Sequence, residues 1–241
     1  ARERNLPRAI FINGCDRDQS DFDNVLELLQ HNYGKTVCIP YDLPVGSKAT
    51  LSGVTKVMDG VGGEYAGSAE EFKSALVEAV AETDEELMNK YFENGELSPE
   101  DFTAGFRKAI LSGSVVPVFA GSVDKDLGIS ELMDALLAYG PSPLDAVTLH
   151  LDQGEVDRKS GDALGFVFKA VNDAFIGQMN YVRIFSGSFK SDSELINSSK
   201  DSKERVGNLL QVQGKEQVVV EEAGPGEIVA IAKLKNTGLN D

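Results

Sequence analysis

The sequence predicts an α/β layer, interrupted by an inserted α+β segment and followed by an all-β barrel. Three observations carry this. Two apolar runs, Arg8 to Ile12 and Val115 to Ala120, each end in a polar turn that opens a helical pattern, which is what a parallel, helix-covered sheet needs. Between them lies a turn-rich and then strongly acidic stretch. Beyond residue 161 the chain breaks into short β-rich runs punctuated by Gly, Pro and Ser, without a clear long helix, the pattern of a small barrel.

Taken in order, Arg8-Ala9-Ile10-Phe11-Ile12 reads as a short buried strand ending at Asn13. Apolar residues then recur at Phe22, Val25, Leu26 and Leu29, the stripe of a helix, with Ser20 or Asp21 as its cap and Gly34 as its stop. Residues 38–113 read as the insert. Leu43-Pro44-Val45-Gly46, Gly53-Val54 and Gly60-Val61-Gly62-Gly63 punctuate its first part, and helix follows from Ala69 to Asn94 and from Pro99 to Leu111. Glu82, Asp84, Glu85 and Glu86 read as a solvated helix face. Val115 to Ala120 is the second buried strand, ending in Gly121-Ser122, and Ile129 to Tyr139 gives a helix with Leu132, Ala135 and Leu136 on one face. Residues 146–160, with Asp152, Gly154 and Asp157, read as a linker. Gly165 to Val171, Met179 to Phe185, Gln217 to Glu221 and Glu227 to Ala232 are the β-rich runs, separated by turns such as Ser186-Gly187 and Gly224-Pro225-Gly226.

Composition narrows the function classes. With 241 residues the chain can bury one large core or two modest ones. A formal charge of -16 argues against non-specific binding of free nucleic acid. Residues 161–241 carry nine Lys and Arg against eleven Asp and Glu, so the acidity is concentrated upstream and any RNA footprint belongs to the last third. No apolar run approaches the roughly 20 residues of a membrane-crossing helix, and no membrane partner is expected. The first residues lack the apolar core of a secretion signal. The chain starts at Ala1 rather than Met, which leads us to expect an excised fragment. Cys15 and Cys38 come without metal-ligand spacing and read as reduced cytosolic thiols; no metal site is expected.

The stretch richest in chemistry is Asn13-Gly14-Cys15-Asp16, an amide and a carboxylate at the C-terminal end of a strand, where open α/β sheets bind ligands. The same four residues also suit a plain turn, since Asn-Gly and Asp are ordinary turn and cap residues. Guanine presents an N1–H donor, an N2 amine and an O6 acceptor. A fixed carboxylate can accept from both donors at once, and adenine offers no such pair. A bidentate contact of this kind discriminates by roughly 1–3 kcal/mol, by analogy with base readout in DNA. Gly121-Ser122-Val123 ends the second strand, which the same sheet would bring beside the first, so that its backbone N–H groups could donate to O6.

Asn13-x-x-Asp16 resembles the Asn-Lys-x-Asp guanine motif of GTPases, with Gly14 in the lysine's place. Over nearly its whole length the chain resembles elongation factor G, the ribosomal translocation GTPase family. The resemblance rests on Asn13-x-x-Asp16-Arg17 with Asp21-Phe22, and on the insert phrase from Glu78 through Met88. It continues in Val115 to Val118 leading to Gly121-Ser122, in Gly128 through Pro143, in Phe175-Ile176-Gly177, in Val182 through Gly187 and in Lys203-Glu204-Arg205-Val206-Gly207. It implies that residues 1–145 are the C-terminal part of a P-loop GTPase domain, with an insert at about 38–113. Residues 161–241 would be the family's β-barrel second domain, which touches the small ribosomal subunit.

By the same resemblance Asp16 reads guanine N1 and N2, Asn13 supports O6 and N7 and the loop, and Gly121, Ser122 and Val123 line the base. GTP or GDP is the implied cofactor, with Mg²⁺ ligands outside this chain. The implied partners are the ribosome, through small-subunit RNA and protein, and guanine nucleotide, for a cytoplasmic monomer.

Two departures shape the expectation. The chain has no Gly-x-x-x-x-Gly-Lys-Ser/Thr phosphate loop and no catalytic residue, so it is expected to be inactive as a GTPase alone. Gly14 removes the lysine whose stem covers the base in the family, which should weaken nucleotide affinity and points to a divergent paralogue. Val123 stands where the family usually has alanine. His31 and His150 match no motif. Lys200, Lys203 and Arg205, among Ser198, Ser199 and Ser202, are the candidate rRNA contacts, through phosphate. The implied activity is GTP binding and hydrolysis on the ribosome, driving tRNA–mRNA movement. The alternative is a ribosome-binding paralogue of the protection, release or recycling type, with weakened or lost GTP dependence. A plain α/β domain and barrel unrelated to translation is the third reading.

Overall fold

The computed structural model describes all residues except 1, 2, 4, 5, 61–64, 66, 146, 147, 152, 153, 158–160 and 174–176. The turn at Val61-Gly62-Gly63, the linker residue Asp152 and the Phe175-Ile176 pair therefore lie outside the described residues. The chain divides into two compact units, Ala1–Pro141 and Ser142–Asp241.

The first unit is built on a parallel sheet in which β5 (Val116–Gly121) lies between β1 (Ile10–Asn13) and β2 (Cys38–Pro40). Every residue of β5 is buried, as a central parallel strand requires. Its alternation builds two cores. Val115 and Phe119 face one with Leu76, Val80, Phe106 and Ala135, while Val116, Val118 and Ala120 face the other with Phe22, Leu26 and Leu43. Helix α1 (Phe22–Tyr33) contributes Phe22 and Leu26 to the second core, and Asp21 caps it by accepting from the Asn24 N–H. Val25 of the expected stripe is 37% exposed. Helix α5 (Ile129–Tyr139) follows β5 and buries Ala135, but Leu136 and Leu137 face outward.

The segment expected to interrupt this sheet contributes its edge strand, β2. The chain then turns into the β3–β4 hairpin (Asp42–Val45 with Gly53–Lys56). The expected single acidic helix is two, α2 (Ala69–Ala81) and α3 (Glu85–Asn94), before α4 (Pro99–Ser112). Asp84 makes the break, because its carboxylate caps α3 through the Glu86 N–H and pairs with Lys108 at 2.7 Å. Glu86 pairs with Lys90 at 3.2 Å, so part of the acidic face is ion-paired rather than merely solvated. Gly105 lets α4 approach: a Cβ there would lie 2.6 Å from Val80 Cγ1 and 2.7 Å from Leu87 Cδ1.

The second unit is antiparallel and β-rich. Residues expected as linker form the β6–β7 hairpin (Thr148–Leu151 with Gly154–Asp157). A five-stranded sheet follows, built around the long antiparallel pair of β8 (Leu164–Asp173) and β9 (Gly177–Ser186), with β16 (Ile228–Ala232) beside β9, then β13 (Leu209–Gln213), and β14 (Glu216–Val220) at the far edge. The β13–β14 hairpin joins it through β16. Two short pairs, β10 (Phe189–Lys190) with β15 (Glu222–Ala223) and β11 (Glu194–Asn197) with β12 (Ser202–Arg205), complete it around Val182, Ile184, Leu209 and Ile231. No helix among the described residues is long and apolar enough to cross a membrane.

Candidate functional site

The parallel register of β1 and β5 sets Asn13 opposite Gly121, so the loops leaving both strands start side by side at the sheet's C-terminal edge. Three links tie them. The Cys15 N–H donates to the Gly121 carbonyl at 3.1 Å, and the Val123 N–H donates to Asn13 Oδ1 at 3.0 Å. Arg17 Nη2 meets Asp124 Oδ2 at 3.4 Å. The first loop is folded by Gly14 at φ +80°, with the Arg17 N–H donating to the Gly14 carbonyl. The second closes on itself through paired bonds between Ser122 and Leu127, both 2.9 Å.

Asp16 sits between the loops. The Ser122 side chain beside it is the main influence holding its carboxyl below the ordinary range; Lys125 and Arg17 add attraction and partial burial opposes them. Ser122 is itself fully buried, and its hydroxyl accepts from the Lys125 N–H at 3.2 Å. The Asp16 Oδ1 atom is buried and has no hydrogen-bond donor, so the carboxylate keeps acceptor capacity that the protein does not use and that a ligand reaches only once this oxygen is uncovered. An ionised carboxylate with an unpaired oxygen suits a ligand edge carrying N–H donors. Cys15, between Gly14 and Asp16, is buried with its thiol toward the Ile12 carbonyl at 3.3 Å. Burial pushes the thiol up, which keeps it protonated and unreactive.

Asn13, Asp16, Gly121, Ser122 and Val123 are thus brought together, but not all as expected. The Ser122 and Val123 N–H groups are used inside the protein, by the Leu127 carbonyl and Asn13 Oδ1. Backbone donors near a surface are paired wherever a partner is in reach. A base O6 would reach the Val123 N–H only by displacing Asn13 Oδ1.

Sequence reasoning missed Asp42, at the root of the same loops. Strand β2 ends at Pro40, Tyr41 donates its N–H to the Val118 carbonyl, and the next donor of β5, the Ala120 N–H, is taken by Asp42 Oδ1 at 2.6 Å. Asp42 is fully buried, its Oδ2 has no partner, and burial pushes its carboxyl up to about 7. A lone carboxylate after an apolar strand, Tyr41-Asp42-Leu43, was the available signal.

The candidate RNA contacts separate. Lys200 is engaged internally: its ammonium donates to the Asn236 carbonyl at 2.6 Å and pairs with Asp241 at 2.7 Å, holding the Asp241 carboxyl down to about 2. Lys203 and Arg205 point outward from β12 on either side of the buried Glu204, paired loosely with Glu194 at 3.4 Å and Asp192 at 3.9 Å. Burial pushes the Glu204 carboxyl up, but the N–H groups of Lys235 and Asn236 and the Thr237 hydroxyl outweigh it. Exposed Lys233 and Lys235 line the same groove as Lys203 and Arg205. Their alternation around buried Leu234 was readable in the sequence.

Residues 162–241 match the family model described as elongation factor G domain 2. The whole chain is also similar to a crystal structure of a protein from Thermus thermophilus, with 27% identity and a TM-score of 0.81. That match covers 99% of this chain and 36% of the Thermus one, so the chain spans about a third of the length of that relative.

Proposed function

We propose, from the match of residues 162–241 to elongation factor G domain 2, that the chain is an internal segment of a translational GTPase of the elongation factor G type. Residues 1–145 then supply the C-terminal half of its GTP-binding domain, with the insert at about 38–113. Residues 161–241 form the barrel that meets the small ribosomal subunit. The observation that carries this reading is the pair of tied loops around Asp16, an ionised carboxylate with a buried, unpaired oxygen at the C-terminal edge of a parallel sheet.

In this reading Asp16 accepts from guanine N1–H and N2–H. Asn13 braces the second loop in the unliganded site, and on binding the Val123 N–H exchanges Asn13 Oδ1 for the base O6. Gly121 and Ser122 bring the loops together, and the Ser122 hydroxyl orients the carboxylate. The chain carries no phosphate-loop sequence, so the triphosphate, Mg²⁺ and the hydrolytic residues belong to the rest of the parent protein. There, in the cytoplasm, GTP binding and hydrolysis by the monomer would bias a conformational switch that moves tRNA and mRNA. Lys203 and Arg205, with Lys233 and Lys235, are the cations for small-subunit RNA phosphate.

One observation favours a second reading, a ribosome-binding paralogue with weakened GTP dependence: Gly14 offers no side chain over the base. Co-sedimentation of the parent protein with ribosomes separates the two. Retention with a non-hydrolysable GTP analogue and loss with GDP supports the switch. Equal retention in both supports the paralogue, and no retention removes translation from the account.

A further inference from the structure

We infer that Arg17 is the base-covering residue of this site, its planar guanidinium closing over the face of the purine whose edge Asp16 reads. This rests on the guanine reading of Asp16.

Asp16 can fix a purine only at its edge, and the flat face then needs a wall. The residue at position 14 has no side chain to give one. A Cβ built on Gly14 would lie 3.3 Å from Arg17 Cδ, 3.4 Å from Nε and 3.7 Å from Cγ. The Arg17 stem therefore runs across Gly14, through the space that a longer residue there would enter. The turn that places it is fixed at both ends: the Arg17 N–H donates to the Gly14 carbonyl at 3.0 Å, and the Arg17 carbonyl accepts from the Ser20 N–H at 2.9 Å.

From that stem the guanidinium reaches Asp124, on the opposite loop, at 3.4 Å. It thus spans the two loops that Asn13 and Val123 join, one residue from the Asp16 carboxylate. Both members of the pair are 69% exposed, so the ion pair itself adds little stability and leaves the guanidinium accessible. Guanidinium planes stack on aromatic faces and carry a charge that an electron-rich purine attracts. The pairing with Asp124 places the guanidinium between the two loops, where it remains solvent-accessible.

Face cover and edge readout respond differently to changes in the base, which gives the test. GDP and inosine diphosphate share a purine face, but inosine lacks the 2-amine. Binding of both by the parent protein is measured by calorimetry for wild type, Arg17→Ala, Arg17→Lys and Asp16→Asn. Arg17→Ala should weaken both nucleotides by the same factor, roughly two- to fivefold, with an unchanged melting temperature. Arg17→Lys should recover only part of the loss. Asp16→Asn should weaken GDP more than inosine diphosphate. Unchanged GDP affinity in Arg17→Ala, with GDP binding still sensitive to Asp16, overturns the role of Arg17 and leaves the guanine site standing. A loss confined to GDP also overturns it, because Arg17 would then be reading the edge. Absence of GDP binding in the wild type, or GDP binding indifferent to Asp16, removes the guanine reading and this inference together.

Discussion

Replacing Asp42 by Asn should remove a pH dependence of stability that the fold builds into the root of the candidate site. Asp42 is fully buried, and its Oδ1 satisfies the Ala120 N–H that β2 leaves unpaired. The surrounding groups are few. Burial is the largest influence on its carboxyl, the Ala120 N–H opposes it, Glu131 on α5 adds repulsion, and Lys56 on β4 gives a smaller attraction. Cys15 and Tyr41 also feel its charge. The folded-state value is about 7 against 3.8 for an ordinary Asp, so the native state binds a proton that the unfolded chain has already lost. Stability from this group is therefore complete below pH 3.8 and is lost as pH rises to about 7, a total of about 4 kcal/mol. Between pH 5 and pH 8 the loss is roughly 2 to 3 kcal/mol. Asparagine can still accept the Ala120 N–H and does not titrate. Urea unfolding followed by the helical circular dichroism signal should show the stability of Asp42→Asn rising relative to wild type by that amount over the interval. Parallel pH profiles for the two proteins would refute the reasoning.

Gly105→Ala should lower stability by roughly 1–3 kcal/mol, because its methyl would enter the contact of α4 with Val80 and Leu87; thermal melting reports it. Gly14→Lys should also melt earlier, by roughly 1–2 kcal/mol in stability, since φ is +80° and the new Cβ would press on Arg17 Cδ. Lys203→Glu with Arg205→Glu should weaken ribosome binding and flatten its salt dependence. Lys200→Met should leave that slope unchanged while lowering the melting temperature, because its ammonium is held by Asn236 and Asp241; equal effects of the two changes on the slope would contradict the separation.

What the sequence disclosed follows from how local each signal was. The β1–α1 and β5–α5 units were readable because an apolar run, a polar turn and a helical stripe are adjacent in the chain. The position of Asn13, Asp16 and Ser122 at one sheet edge followed from the same pattern. The break between α2 and α3 was hidden because neither Gly nor Pro marks it, although Asp84 is an ordinary cap. The β6–β7 hairpin was hidden by its polarity, which looked like a linker. What Lys200 and Asp42 bind was unreadable for a different reason. Their partners, Asp241 and the Ala120 N–H, lie 41 and 78 residues away, and only the folded chain brings them together. The same holds for the Arg17–Asp124 link across 107 residues, without which Gly14 reads only as a loss.

The central claim is that the loops around Asp16 choose guanine. Its most direct test is equilibrium binding of GDP and xanthosine diphosphate to the parent protein, wild type against Asp16→Asn. Xanthine carries a carbonyl where guanine carries the 2-amine, so a carboxylate suits guanine and an amide, with its own N–H donors, suits xanthine. The account predicts that wild type prefers GDP and that the variant reverses the preference. A variant that keeps the wild-type preference would contradict it.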